Sequence, residues 1–225
     1  MEFNSTDQMK NMGILRMRKN WLNSVAVLII SFFILSSISF IDGYFQVMHE
    51  IFGTQARNLT SLAGIQSIIF TGPISYGVAL FFLNAARGNE GEIVHVFTGF
   101  KRFGTTFLCG LMQTIFIVLW SLLFIIPGII AAINYSMAYY LLADYKSLSA
   151  MDALSMSKDI MKGHKGRYFN LLMSFVGWFV FSAVTLGLGY VYVMPYFNNT
   201  IAVFYQDLIN GTDTDLIRKY AGDVQ

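Results

Sequence analysis

Apolar and polar residues along this chain are sorted into long blocks. From Phe103 to Ala143 there are 41 residues without an Asp, Glu, Lys or Arg, and Tyr168 to Gln206 supplies another 39. One helix needs about 20 such residues to cross a bilayer, so each block has the length of two crossings. Pro127-Gly128 divides the first and Leu186-Gly-Leu-Gly-Tyr190 the second, where a backbone donor is missing or the chain turns freely. Trp21 to Ile41 and Asn58 to Ala86, of 21 and 29 residues, are charge-free too. The pattern predicts an all-α polytopic membrane protein. Its six transmembrane helices lie over about 22–41, 65–85, 104–126, 128–143, 168–186 and 190–206, paired as three hairpins. The first span is longer than the apolar region of a signal peptide and has no small-x-small cleavage site after it, so it is expected to stay as an anchor.

The polar blocks join these spans. Residues 1–20 set Met9, Met12, Ile14, Leu15 and Met17 among Lys10, Arg16, Arg18 and Lys19. That pattern fits either a short amphipathic helix on an anionic leaflet or a basic lead-in that only sets topology. Residues 42–64 read as the long loop of the opposite side, carrying Asp42, His49, Glu50 and Arg57 and the acceptor-like Asn58-Leu-Thr60. Between 144 and 167, Ser149 with Asp152 starts a helix over about 149–162. Ala150, Ala153, Leu154, Ser157, Ile160 and Met161 share one face of it, and Asp152, Lys158, Asp159 and Lys162 the other. This segment is expected to lie on the membrane surface by its apolar side. The tail beyond Asp207 is short and polar and is expected to be loose.

Charge orients the spans. Lys10, Arg16, Arg18, Lys19, then Arg87, Lys101, Arg102, then Lys146, Lys158, Lys162, Lys165 and Arg167 fall on one side, against Arg57 alone on the other. By the positive-inside rule both termini are cytoplasmic. Composition agrees with a single membrane domain over 1–225: 55% of residues are hydrophobic and 12% charged, against roughly 25% charged in soluble domains. A net charge of +2 gives no basic patch for nucleic acid.

The two long hairpins align. Lys101 to Asp144 spans 43 positions and Lys165 to Asp207 spans 42, and each closes on an aromatic, small-residue stretch before its Asp. Pro73 and Pro195 correspond, and Gly72-Pro73 is expected to kink its helix. Internal repeats of this kind accompany sites between the repeated units.

Gly99-Phe-Lys-Arg-Phe-Gly104, Leu119-Trp-Ser-Leu-Leu-Phe-Ile-Ile-Pro-Gly128, Tyr135-Ser-Met-Ala138, Leu142-Ala-Asp144 and Met161-Lys-Gly-His-Lys165 together resemble the bacterial membrane proteins called domain of unknown function 975. Gly177-Trp178, Leu186-Gly-Leu-Gly189 and the Ala202 to Asp207 end fit the same pattern. The resemblance implies a bacterial cytoplasmic membrane and no settled activity. A more distant likeness is to the membrane domain of some glycerophosphodiester phosphodiesterases, whose catalytic domain has no counterpart in these residues.

Candidate chemistry is sparse. His49, His95 and His164 sit in three different connectors without metal-ligand spacing, and Cys109 reads as a packing residue. No phosphate loop or nucleophile elbow appears, and the predicted spans hold no ionisable side chain. Neither an enzyme nor a cofactor is expected. What remains is neutral polarity: Asn134, Tyr135 and Tyr139 in the fourth span with Asn198 and Asn199 in the sixth, either lining a polar cleft or bonding helix to helix. Lys101, Asp144, Lys165 and Asp207 form a candidate latch at the cytoplasmic level. The leading expectation is a non-catalytic accessory, self-protection or interaction module whose partners are membrane lipids, another membrane protein or a membrane-active peptide. The alternative is a transporter or lipid- or peptide-handling protein using that cleft.

Overall fold

The computed structural model describes residues 3–52 and 60–222, and every regular element among them is helical. In order these are α1 (Thr6–Lys19), α2 (Trp21–Phe52), α3 (Thr60–Ala86), a 3-10 turn (Ile93–Phe97), α4 (Thr98–Lys101), α5 (Phe103–Leu123), α6 (Ile125–Tyr135), α7 (Ala138–Asp144), α8 (Ala150–Ile160), α9 (Lys165–Val184), α10 (Tyr190–Asn210) and α11 (Thr214–Ala221). Five stretches are long and apolar enough to cross a membrane: Trp21–Phe45, Gly64–Ala86, Phe103–Leu123, Ile125–Asp144 and Lys165–Val184. Their outward residues are what lipid would cover: Phe32, Phe33 and Phe40 on α2, Leu119, Leu122 and Leu123 on α5, and Val180, Phe181 and Val184 on α9 are all exposed. Helix α10 is about 31 Å long but lies outside that group of five, because Asn198, Asn199 and its tyrosines dilute its apolarity.

Helices α3 and α10 form the interior. Gly72, Gly77 and Gly99 let the chain between Val96 and Phe107 press against the α3 backbone, so close that a Cβ on any of them would overlap main-chain atoms. Along α10, Tyr196, Asn199, Thr200, Ala202, Phe204, Tyr205 and Leu208 are buried. Helix α3 runs unbroken through Pro73, without the helix break such a residue often brings.

Several boundaries differ from those the sequence predicts, each for a local reason. Residues 42–52 continue α2 instead of opening a loop, since one Gly among good helix formers does not stop a helix. Arg57 and Asn58 lie outside the described residues. Helix α5 stops at Leu123, where Phe124 is extended (φ −160°, ψ 152°). Pro127 stands in the first turn of α6, where its missing N–H would be unbonded anyway; it starts the helix instead of splitting the block.

Two polar segments are docked on protein. Helix α1 opens with a capping box between Ser5 and Gln8, and its buried Met9, Gly13 and Met17 pack along α10. It is a formed helix with one face on protein, and so not a simple lead-in. The predicted inner face of α8 is confirmed residue by residue, Ala150 to Met161 being buried, but α5, α6 and α7 cover it and lipid does not.

The tail is not loose. Tyr220 Oη donates to Asp159 at 2.8 Å, and Ser147 Oγ donates to the Ala221 carbonyl at 3.2 Å, holding α11 on α8. The Lys162 hydrogen bond, helped by those of Tyr220 and the charge of Lys219, holds the Asp159 carboxyl below its usual range. A depressed pKa contributes stability at neutral pH that is lost as pH falls through the folded value. Corrected for the intrinsic pH dependence of amide exchange, protection across 214–221 should therefore be high at pH 7 and fall below about pH 4, and Asp159→Asn should lower it already at pH 7.

Candidate functional site

The fourth predicted span is broken. Helix α6 ends at Tyr135 and α7 starts at Ala138, with no Pro or Gly between them. The repair comes from α8: Ser157 Oγ accepts from the Met137 N–H at 3.2 Å and donates to the Asn134 carbonyl at 2.7 Å. One hydroxyl carries a donor and two acceptor positions, so it serves both freed backbone groups at once. Ser136 Oγ closes the turn on the Ile133 carbonyl at 2.8 Å. Ser157 is fully buried, and Ser149, which caps α8 by accepting from the Asp152 N–H at 3.2 Å, fixes where that helix begins. At membrane depth, non-helical backbone is tolerated where protein encloses it or where it lines a cavity. Both conditions hold here.

A cavity lies on each side of the break. The first, of about 240 Å³, is lined by Trp120, Pro127, Ile130, Ala131, Asn134, Tyr135 and Lys158. The Asn134 Oδ1 is buried there without a hydrogen-bond partner, a costly state in an apolar surrounding. The second, also about 240 Å³, has Ser31, Ser75, Ser136, Tyr139, Tyr140 and Asn198 on an apolar wall of Leu35, Ile74, Val78 and Ala79. The single cleft read from the sequence is thus divided. Asn134 and Tyr135 share one cavity, and Tyr139 and Asn198 share the other. Asn199 lines neither: it is fully buried, its Nδ2 donates to the Pro195 carbonyl at 2.9 Å, and its Oδ1 has no partner.

The two aspartates that close the aligned stretches each hold an arginine. Asp144 accepts from Arg87 at 2.7 Å and from Tyr205 Oη at 2.9 Å. Asp207 accepts from Arg167 at 2.6 Å and from Asn4 through its backbone and side chain, at 3.1 and 2.6 Å. Among the described residues neither Lys101 nor Lys165 pairs with them; a single guanidinium nitrogen of Arg87 and of Arg167 does. Lys101 instead faces a cavity beside α3. Tyr205→Phe should remove one charge-assisted bond and lower stability by about 1–2 kcal/mol in a detergent melt.

Sequence reasoning did not single out Ser157 as a site residue, and it left Lys158 and Trp120 out of the cleft. The available signal was a hydroxyl at the centre of an otherwise apolar helix face, since such a group needs a partner once that face is covered.

With the break and its cavities placed, comparison with known proteins adds one finding. Residues 122–211 match the model of a family described as protein of unknown function (DUF975). The match is a likeness over 90 of the 225 residues. The matched stretch runs from the end of α5 through α10, so it contains Asn134, Tyr135, Tyr139, Ser157, Lys158, Asn198 and both aspartates. Arg87 and Lys101 lie before it. The comparisons with curated proteins and with solved structures return no match. The DUF975 stretch therefore comprises both halves of the broken helix and the α8 hydroxyl that repairs it.

Proposed function

We propose that this is a non-catalytic, multi-pass protein of the bacterial cytoplasmic membrane that acts by binding another membrane component at the α6–α7 break. In this reading α10 is a sixth span, which can be polar because α1, α2, α3 and α9 cover it. The spans form three hairpins with both termini cytoplasmic, following the excess of Lys and Arg on that side. One observation carries the binding role. The Asn134 Oδ1 is held, without a partner, in a cavity that also has an ammonium group, a phenol and an indole, from Lys158, Tyr135 and Trp120. The polar part of the bound component would meet the Lys158 ammonium and the Tyr135 phenol beside that amide, and the aromatic walls would take its apolar part.

The test places a photoreactive benzoyl-phenylalanine at Tyr135 and illuminates native membranes. A discrete adduct is expected, and Asn134→Leu with Lys158→Leu should abolish it. Absence of any adduct, or an adduct unchanged in that double variant, would overturn the reading.

A further inference from the structure

We propose a second, separate binding site, for a phosphate anion, in the cavity between α3 and the 93–101 segment. It measures about 430 Å³, within the roughly 300–1,000 Å³ of small-molecule sites. Tyr76 and Leu80 of α3 form one wall, and Val94, His95, Phe97 and Thr98 form the other.

Its charge is the reason for the assignment. Lys101 and Lys146 come from connectors 45 positions apart, yet both line this one cavity. No carboxylate lines it, and neither lysine makes an ion pair among the described residues. Two like charges brought together repel, and an anion between them reverses the sign of that interaction. His95, whose Nδ1 has no hydrogen-bond partner, and Thr98 line the same cavity. Ammonium, imidazole and hydroxyl groups are the donors a phosphate accepts from.

The site is built in advance. Gly77 seats the 3-10 turn on α3 at Val96, and Gly99 seats the following residue pair on Pro73, so the two walls are fixed by main-chain contact. The rim is apolar: Val94 and Phe97 are 60% and 46% exposed at its edge. A polar connector that displays a valine and a phenylalanine next to two ammonium groups suits a phosphate attached to acyl chains, the headgroup of an anionic phospholipid. Free phosphate would use the same donors and leave the rim uncovered.

The experiment uses the full chain purified in dodecyl maltoside, with two probes. Native mass spectrometry follows retained phosphatidylglycerol, and calorimetry follows inorganic phosphate at constant ionic strength. Lys101→Gln with Lys146→Gln should lower retention of the preferred probe roughly thirtyfold. Lys101→Arg with Lys146→Arg should keep it, and so should the charge-matched control Arg18→Gln with Lys219→Gln. Selective loss of phosphatidylglycerol supports the lipid headgroup as the source, and a selective loss of phosphate heat supports the free ion. Binding of neither probe to the parent chain, or equal loss in the charge-matched control, would overturn the site.

Discussion

Gly77→Val is expected to lose most of the folded protein. The Cβ would stand 2.2 Å from the Val96 carbonyl oxygen and 2.6 Å from the Val96 Cα, and these are main-chain atoms with no rotamer to escape into. Overpacking typically costs about 1–3 kcal/mol where side chains can yield, and the cost here should reach or exceed the top of that range. Gly99→Val should behave alike, its Cβ falling on the Pro73 carbonyl. Gly104→Ala is the matched control: nothing lies within 4 Å of its Cβ, and in the first turn of α5 alanine is at least as good as glycine. Thermal melts in detergent should rank Gly77→Val and Gly99→Val far below the parent chain and Gly104→Ala at or above it. If Gly77→Val melts with the parent chain, the 93–97 turn does not pack on α3 and the phosphate cavity beside it is lost as well.

Ser157→Val should be the second largest effect. Valine is larger than serine, so it crowds this fully buried position, and it leaves the Met137 N–H and the Asn134 carbonyl buried and unbonded, at about 1–3 kcal/mol each. A loss near 2–4 kcal/mol is therefore expected, with Ser157→Thr recovering much of it. The comparison separates hydrogen bonding from packing, since threonine and valine have nearly the same shape. Equal melts for valine and threonine would mean that the backbone groups at 134 and 137 find other partners.

The membrane character was legible because lipid leaves a coarse mark: each of the five strongly apolar stretches lies mostly within a long charge-free run. The inner face of α8 was legible too, since helical periodicity selects Ala150, Ala153, Leu154, Ser157, Ile160 and Met161 whatever covers them. Periodicity cannot name the cover, and there protein stood where lipid was expected. The end of α2 was misplaced because polarity signals a change of solvent and not a change of backbone. The break after Tyr135 was hidden for a different reason. The hydroxyl that satisfies its backbone lies 20 positions further on, and neither Ser136 nor Met137 is a helix breaker. Asn134, Tyr135, Tyr139 and Asn198 were found by their neutral polarity inside apolar runs. Their division between two cavities depends on how α6 and α7 are turned relative to each other, which spacing along an unbroken helix misstates.

A polar cavity at Asn134 beside the α6–α7 break should be open to a small water-soluble thiol reagent. With Cys109→Ser as background, Asn134→Cys and Ile129→Cys would be reconstituted in nanodiscs and treated with a small cationic methanethiosulfonate. Ile129 is 48% exposed on the apolar surface of α6, where a charged reagent meets lipid. Rapid modification at 134, faster still when Lys158→Glu replaces a repelling charge beside it with an attracting one, and slow modification at 129 is the predicted result. A cysteine at 134 as inert as the one at 129 would contradict the account.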